Sequence, residues 1–250
     1  MIISLQPKHS VFSKIRTISM PYGYDIFLTK KYKFNLKLTI DGIVLLKSIK
    51  NNAIPVVFFD PQYRGILDKM SYGNEGQKGS RQLKRSSLIQ MNEEIIKNFM
   101  KEINRVLMNS GHCFLWIDKF HLCQGIAQWL RNTDLSIVDM IVWDKERMGM
   151  GYRTRRQCEY LLVLQKEPVK AKGIWQTRNI RDVWKEKIIF KKHPHQKPIN
   201  LQCKLITAVS NENDIIVDPC AGSFSIMECC LKEKRIFLGT DLKYGKNKRK

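Results

Sequence analysis

The sequence feature that most constrains the fold is an apolar run at residues 56–59, Val-Val-Phe-Phe, that ends abruptly at Asp60-Pro61. Such a run, without polar alternation, predicts a strand buried on both faces, as in parallel sheets covered by helices. Because Pro61 cannot donate to a sheet ladder, the strand is predicted to end at Asp60. Ligands of open α/β sheets bind just outside these carboxyl strand ends. We therefore expect Asp60, the Pro61 carbonyl and the Tyr63 ring to face a crevice, where two acceptors and a flat ring suit an aromatic amine.

The charge balance points to a polyanionic partner. The 250 residues include 44 Lys and Arg against 23 Asp and Glu, a net charge of +21, and 43% are hydrophobic. This composition is typical of one globular domain, and the excess of positive charge favours nucleic acid as the partner. No apolar run approaches the roughly 18 residues of a spanning helix, and no signal-peptide core is present, so a membrane partner is not expected.

The seven cysteines form no Cys-x-x-Cys pair, and Cys113, Cys203, Cys229 and Cys230 lie in apolar segments. This pattern is typical of reduced core residues in a cytosolic protein, which predicts a cytoplasmic location. The His193 and His195 pair lacks flanking Cys or carboxylate ligands at a zinc-like spacing, and no metal site is predicted.

The remaining elements alternate between strands and helices. Further strands are predicted at residues 34–40, 113–117, 137–143, 160–164, 215–218 and 236–241, and helices at 42–49, from Asn92 toward residues 109–111, and at 122–130, 199–209 and 224–232. Runs of this kind predict an α/β domain with a parallel sheet. Residues 1–36 show no clear periodicity and are assigned to an irregular lead-in, and residues 243–250 to a basic tail.

Three basic segments are candidates for nucleic-acid contact, and each has a plainer alternative. The Gly-rich residues 64–90 are a closing flap or a solvated insertion; residues 145–156 are a phosphate clamp or a hairpin tip; residues 169–192, with Trp175 and Trp184, are a target-recognition insertion or a surface excursion pinned by its Trp side chains. The candidate contact residues are Arg64, Lys78, Arg81, Lys84, Arg85, Arg153, Arg155, Arg156, Arg178 and Arg181.

Acids also stand at three other predicted strand ends, Asp41, Asp218 and Asp241. Asp218 precedes a small-residue turn that opens a helix, and Asp241 ends the following strand. Such a turn allows close backbone approach, and such an acid accepts from ribose hydroxyls. The turn contains a single glycine, which argues against a pyrophosphate grip and leaves room for a smaller nucleoside such as S-adenosylmethionine.

Several segments, in a specific order between about residues 38 and 242, resemble the β-type amino-group DNA methyltransferases, in which the catalytic motif precedes the cofactor motif. Asp60-Pro61-Gln62-Tyr63 resembles the catalytic Asp-Pro-Pro-Tyr. Residues 141–145 and 159–166 are similar to the paired strands beside the target-base pocket, and residues 193–198, His-Pro-His-Gln-Lys-Pro, to the motif that opens the cofactor half. Residues 218–223, Asp-Pro-Cys-Ala-Gly-Ser, resemble the cofactor turn, and residues 239–241 the ribose-binding acid.

The resemblance implies a Rossmann-like methyltransferase fold with a mostly parallel seven-stranded sheet over residues 37–242. It implies methyl transfer from S-adenosylmethionine to adenine N6 of double-stranded DNA after base flipping, since relatives acting on cytosine N4 usually carry Ser where Asp60 stands. The implied catalytic residues are Asp60, Pro61 and Tyr63, and the implied cofactor residues are Asp41, Lys197, Asp218, Pro219, Cys220, Ala221, Gly222, Ser223 and Asp241.

Two departures from the family pattern keep alternatives open. Gln62 replaces a second Pro, and Phe224 replaces a Gly of the cofactor turn, where its side chain could crowd the cofactor or pack under the helix. The alternatives are an N4-cytosine enzyme, a catalytically silent DNA-binding relative, or methylation of RNA or a protein glutamine. A restriction partner, a homodimer and, in a prokaryote, association with the nucleoid are further expectations left open.

Overall fold

The computed structural model describes residues 25–62, 91–149, 153–189 and 196–245. In chain order the elements are β1 (Lys37–Leu38), α1 (Gly42–Lys47), β2 (Ile54–Phe59), α2 (Glu93–Val106), β3 (Leu107–Ile117), α3 (Lys119–Gln124), α4 (Ala127–Leu130), β4 (Leu135–Asp144), β5 (Cys158–Lys166), β6 (Val183–Lys185), α5 (Ile199–Val209), β7 (Ile215–Asp218), α6 (Ser225–Lys232) and β8 (Ile236–Thr240).

The strands form one sheet in the order β1-β8-β7-β2-β3-β5-β4-β6. Strand β5 is antiparallel to its neighbours β3 and β4, and every other pairing is parallel. The predicted α/β fold with a mostly parallel sheet is confirmed. The sheet has eight strands rather than seven, because residues 183–185, within the segment 169–192 where no strand was predicted, pair with β4 as an edge strand.

Strand β2 is buried on both faces, as its apolar run predicts. Val57 and Phe59 join the core that includes α1 and α2, whereas Val56 and Phe58 join the opposite core under α5 and α6. All six residues of the strand are buried. The central strand therefore holds the two helical layers together, and its carboxyl end is fixed by packing on both sides.

Several predicted boundaries are wrong for local reasons. The strand predicted at residues 34–40 shortens to β1, because Asn35 has a left-handed backbone, with φ 56°, and its side-chain oxygen takes the Phe237 N–H at 2.9 Å in place of a ladder bond. The helix predicted at residues 122–130 divides into α3 and α4 at Gly125, which has φ 82° and cannot continue a helix.

The connection between α2 and β3 is also tighter than predicted. The Asn92 side chain caps α2 by accepting from the Ile95 N–H at 2.9 Å, as expected. The helix ends at Val106, however, and the chain turns directly into β3 at Leu107. Residues 109–111, predicted to end the helix, lie inside the strand, where Ser110 has φ 59° and the pairing with β2 shifts register.

Within the described ranges, none of the helices is long and apolar enough to cross a membrane. The seven cysteines are free, and Cys113, Cys203, Cys229 and Cys230 are buried, as predicted.

Candidate active site

A cleft of about 500 Å³ opens at the carboxyl edge of the sheet, lined from the ends of β2, β3, β7 and β8 and from α2 and α5. It lies where β2 meets β7, the point from which the chain proceeds to β3 on one side and to β8 on the other. Ligands of open α/β sheets bind at such switch points. The cleft lining includes Asp41, Asp60, Lys197, Asp218 and Asp241, together with Pro219, Cys220, Ala221, Gly222 and Ser223, so the structure brings most predicted catalytic and cofactor residues together.

Asp60 follows β2 directly and is partly exposed to the cleft. Pro61 is buried, and the Gln62 carbonyl accepts from the Met91 N–H at 2.7 Å. Gln62 and Met91, the described residues on either side of residues 63–90, therefore lie together on the cleft lining. Tyr63 lies outside the described residues, and its stacking role stays a prediction. The same holds for five of the predicted contact residues, Arg64, Lys78, Arg81, Lys84 and Arg85.

Lys197 connects Asp60 to a second carboxylate. Its ammonium lies 3.1 Å from an Asp60 oxygen and 3.0 Å from a Glu159 oxygen, and 4.8 Å from the centre of the Trp116 ring. Burial would lower the pKa of Lys197, but Asp60 and Glu159 outweigh it and raise that pKa above its usual range. Burial would likewise raise the pKa of Glu159, but Lys197 and Lys145 lower it to about 2. Lys197 and Glu159 are therefore both charged at neutral pH.

The cofactor turn is held by backbone donors. Asp218 is 6% exposed and accepts from the Cys220 N–H at 3.1 Å. Asp241 accepts from the N–H groups of Gly222, Lys243 and Tyr244, at 3.2, 2.8 and 2.7 Å. Burial, with the nearby charges of Asp60 and Asp241, raises the pKa of Asp218 well above its usual range. Asp218 therefore lies where burial and like charges disfavour its ionised form.

Asp41 caps α1, accepting from the N–H groups of Ile43 and Val44 at 2.8 and 3.3 Å, and this places its carboxylate on the cleft wall. The next residue must be glycine for steric reasons. A Cβ on Gly42 would lie 2.3 Å from the Pro219 carbonyl oxygen, so α1 starts in direct contact with the cofactor turn. The sequence contains this signal, a glycine directly after an acid at a strand end.

Phe224 packs beneath the turn rather than into the cleft. Its backbone is left-handed, with φ 59°, which explains why the family pattern has glycine there. The side chain is 2% exposed and packs edge-on against Phe237, with ring centres 6.0 Å apart. Phe224 is absent from the cleft lining, so the structure favours packing over obstruction.

Sequence reasoning missed three residues of the site. Trp116 lines the cleft from the carboxyl end of β3, and its position one strand from Asp60 could have identified it. Gln202 also lines the cleft, is 2% exposed, and its side-chain oxygen has no hydrogen-bond partner among the described residues. A glutamine next to the apolar stripe of α5 was the available signal. Glu159 contacts Lys197 from a distant part of the chain, and no local sequence pattern predicts that contact.

The predicted nucleic-acid contact residues that the structure describes, Arg153, Arg155, Arg156, Arg178 and Arg181, do not line the cleft. Residues 153–156 belong to the connection between β4 and β5, which meets the same edge of the sheet as the cleft because β4 runs in the direction of β3. Arg153 and Arg155 are exposed there, and Arg156 stacks on Phe120 at 5.4 Å. Arg178 and Arg181 are exposed beside β6, at the far edge of the sheet.

The insertion at residues 169–192 is partly anchored to the core. Trp175 and Trp184 are half-buried against the core under α5, and the Trp184 indole donates to Glu186 at 2.8 Å. Its two Trp side chains therefore pin the segment, while its Arg side chains stay exposed. In the described part of the chain, no three His, Cys, Asp or Glu residues are grouped to hold a metal, and His193 and His195 lie outside it.

Comparisons with known proteins identify the family. A model of the N6/N4 DNA methylase family matches residues 54–245. The chain is 54% identical over 223 residues to the Type II methyltransferase M.HhaII of Haemophilus parahaemolyticus, covering 89% of this chain and 94% of the relative. It is 35% identical over 70 residues to the DNA adenine methyltransferase YhdJ of Escherichia coli, covering 28% of this chain and 23% of that one.

Solved structures agree on the fold. The M1.HpyAVI complex with S-adenosylmethionine superposes with a TM-score of 0.57 at 19% identity, covering 82% of this chain and 92% of the other. The family match confirms the predicted resemblance, and with it the S-adenosylmethionine cofactor. The chain belongs to the N6/N4 DNA methylase family and is an S-adenosylmethionine-dependent DNA methyltransferase.

Proposed function

We propose that the protein methylates N6 of adenine at a specific site in double-stranded DNA, with Asp60 as its catalytic acceptor. The observation that carries this proposal is the position of Asp60, at a strand end on the cleft, ion-paired to Lys197 at 3.1 Å. An ionised carboxylate there accepts a hydrogen bond from an exocyclic amine. The adenine-methylating relative supports the choice of base.

A base stacked in a duplex cannot reach this cleft, so the target adenine is flipped out at a cost of a few kcal/mol. Asp60 and the Pro61 carbonyl accept the two amine hydrogens, which turns the nitrogen lone pair toward the methyl donor, and Tyr63 stacks on the ring. As the nitrogen–carbon bond forms, the sulfur–carbon bond breaks and its electron pair returns to sulfur. The surplus proton leaves the amine toward the Asp60 carboxylate. Positioning supplies most of the rate.

The residues of the other half of the cleft fit the cofactor. S-adenosylmethionine supplies an activated methyl group on a positively charged sulfur, and its methionine portion carries an ammonium. The acids Asp41, Asp218 and Asp241 suit a cation with ribose hydroxyls. The buried oxygen of Gln202, with no partner among the described residues, suits a donor of the ligand. We therefore assign the cofactor to the turn at residues 218–223, with Lys197 at the boundary between the two halves.

The DNA is proposed to lie across the sheet edge that carries Arg153, Arg155 and Arg156, where the +21 net charge supports binding to phosphates. Arg178 and Arg181, beside the outermost strand β6, would extend this surface. The similarity to a Type II methyltransferase supports a role in restriction and modification. A cytoplasmic, nucleoid-associated location and a homodimer belong to the same proposal.

The test is to express the chain in a host that lacks DNA methylation and to sequence its modified bases. N6-methyladenine in one sequence context, lost in Asp60→Ala, is the expected result. N4-methylcytosine would replace the proposal with the sister activity. DNA binding without cofactor binding in calorimetry would identify a silent relative, and competition by RNA or peptide would redirect the substrate class.

A further inference from the structure

The catalytic carboxylate belongs to a chain of four alternating charges. Lys145 lies 3.3 Å from a Glu159 oxygen, Glu159 lies 3.0 Å from Lys197, and Lys197 lies 3.1 Å from Asp60. The members come from the end of β4, the start of β5, the residue before Pro198 that leads into α5, and the end of β2. Four separate parts of the fold thus converge behind the Asp60 carboxylate.

Glu159 is the member of this chain of charges that has no proposed role in binding the substrate or the cofactor. It is about one-third exposed and is not itself part of the cleft lining, which it meets through Lys197. Its two oxygens are divided between two lysines, one oxygen to each. Lys197, in contrast, is 13% exposed and lies over the Trp116 ring, so its ammonium is held on three sides.

We propose that Glu159 is a positioning residue for methyl transfer, which holds Lys197 so that Lys197 orients the Asp60 carboxylate without engaging it fully. The inference rests on the proposed role of Asp60. A lysine with Asp60 as its sole anionic partner would draw the carboxylate into a tight ion pair and weaken it as an acceptor. Sharing the ammonium with Glu159 reduces its hold on the Asp60 carboxylate, which can then accept from the adenine amine. Of the predicted cofactor residues, Lys197 is the one that belongs to this chain of charges.

The test compares Glu159→Gln, Lys197→Met and the double variant, with Glu212→Gln as the matched control. Glu212 makes an ion pair of the same kind, 3.2 Å from Lys234, at the amino end of β7. The measurements are kcat on duplex DNA across pH, and the Kd of S-adenosylmethionine by calorimetry. Glu159→Gln is expected to lower kcat about tenfold, since a small misplacement of reacting groups costs up to about 100-fold. It should leave the cofactor Kd within about twofold, because Glu159 does not reach the cofactor turn.

The pH profile separates positioning from mere structural support. Among the described residues, Lys197 pairs with Asp60, and the charges of Asp60 and Asp241 both act on Asp218 and on the Cys220 thiol. Losing the ammonium in Lys197→Met should move the acidic limb of kcat upward by about one pH unit or more. Glu159→Gln should move the acidic limb of kcat downward, because the positive charge of Lys197 next to Asp60 is then less neutralised. Opposite shifts are a signature that loss of folding cannot produce.

The double variant completes the test. Because Glu159 acts through Lys197, adding Glu159→Gln to Lys197→Met should lower kcat no further. Losses that multiply, shifts of the two limbs in one direction, or a Glu159→Gln profile equal to that of Glu212→Gln would each overturn the inference. If Asp60→Ala itself retained kcat, the proposed function would fail instead, so the two failures are distinguishable.

Discussion

The two ends of the cleft hold their carboxylates by different means. At the catalytic end, Asp60 is paired with the ammonium of Lys197 at 3.1 Å. At the cofactor end, Asp41, Asp218 and Asp241 accept from backbone N–H groups at distances between 2.7 and 3.3 Å. The first arrangement neutralises a charge, whereas the second fixes the carboxyl groups in place with neutral backbone donors.

The difference agrees with what each end is proposed to bind. A neutral adenine amine needs an acceptor that is ionised and correctly oriented, and an adjacent cation ensures both. A positively charged cofactor needs negative charge that no lysine competes for. Backbone donors satisfy the carboxylate oxygens partially, and each carboxylate retains lone pairs for a ligand. The comparison therefore predicts that substitutions at one end change kcat and substitutions at the other change cofactor affinity.

The largest effect is expected for Asp60→Asn. This substitution preserves size but removes the charge that accepts the amine, and kcat should fall about 1,000-fold, the upper range for removing one electrostatic contact of a transition state. The Kd of S-adenosylmethionine should change less than about twofold, because Asp60 is outside the cofactor turn. Asp139→Asn, on the exposed face of β4, is the matched control. A parallel rise in Kd would remove the distinction between the two ends.

Asp241→Ala should produce the next largest effect, and this effect should be on the Kd of S-adenosylmethionine rather than on kcat. Its carboxylate is proposed to bind the cofactor and accepts three backbone N–H groups. Hydrogen bonds to charged groups contribute about 1.5–3 kcal/mol, so the cofactor Kd should rise roughly 10- to 100-fold. The kcat at saturating cofactor should stay within about threefold.

Asp118→Ala is the control for that experiment. Asp118 accepts from the Phe120 and His121 N–H groups at the start of α3, and it does not line the cleft. It should lower the free energy of unfolding by about 1 kcal/mol, as the loss of a helix cap does, with no change in cofactor Kd. An unchanged Kd in Asp241→Ala would contradict the assignment of the cofactor end.

The sequence was informative where the position of a residue follows from its immediate neighbours in the chain. Asp60 follows a buried strand and precedes Pro61, so both its position and its exposure could be inferred. Asp41 and Asp218 followed from the same logic, and the structure places both on the cleft. The burial of both faces of β2 was predicted from four residues, because a strand without polar side chains has no face suited to solvent.

What the sequence could not provide were contacts between distant segments. Glu159 and Lys197 lie 38 positions apart, and their ion pair depends on how β5 and α5 meet. Strand β6 forms because β4 offers an unpaired edge, which its own three residues do not reveal. The left-handed Asn35 shortens β1 through bonds to Phe237, about 200 positions away. Such features are set by tertiary packing, which overrides local pattern.

A third prediction concerns Gln202 at the cofactor end. Gln202→Leu removes a buried oxygen that has no partner among the described residues, so the free energy of unfolding of the cofactor-free protein should not fall. The cofactor Kd should rise about three- to tenfold, the value of one neutral hydrogen bond. Thermal unfolding and calorimetry give both quantities.

Gln165→Leu is the matched control, because that glutamine is equally buried but fully bonded. It donates to the carbonyls of Ser110 and Lys170 and accepts from the Lys170 N–H. Its loss should cost about 1–3 kcal/mol of stability and leave the cofactor Kd unchanged. If both glutamines behaved alike, Gln202 would be a structural residue and the cofactor end would begin closer to Asp218.

The smallest effect is a proton released on cofactor binding. Burial, with the charges of Asp60 and Asp241, raises the pKa of Asp218, so ionisation of this group opposes folding, and the free energy of unfolding falls as pH rises through the raised pKa. A bound cation favours the ionised form and lowers that pKa. Cofactor affinity should therefore rise with pH by at most tenfold per unit, with less than one proton released in buffers of different ionisation enthalpy. Asp218→Asn should abolish the release, whereas Asp60→Asn, at the paired end, should only reduce it, because burial and the Asp241 charge still raise the pKa of Asp218 when the Asp60 charge is removed.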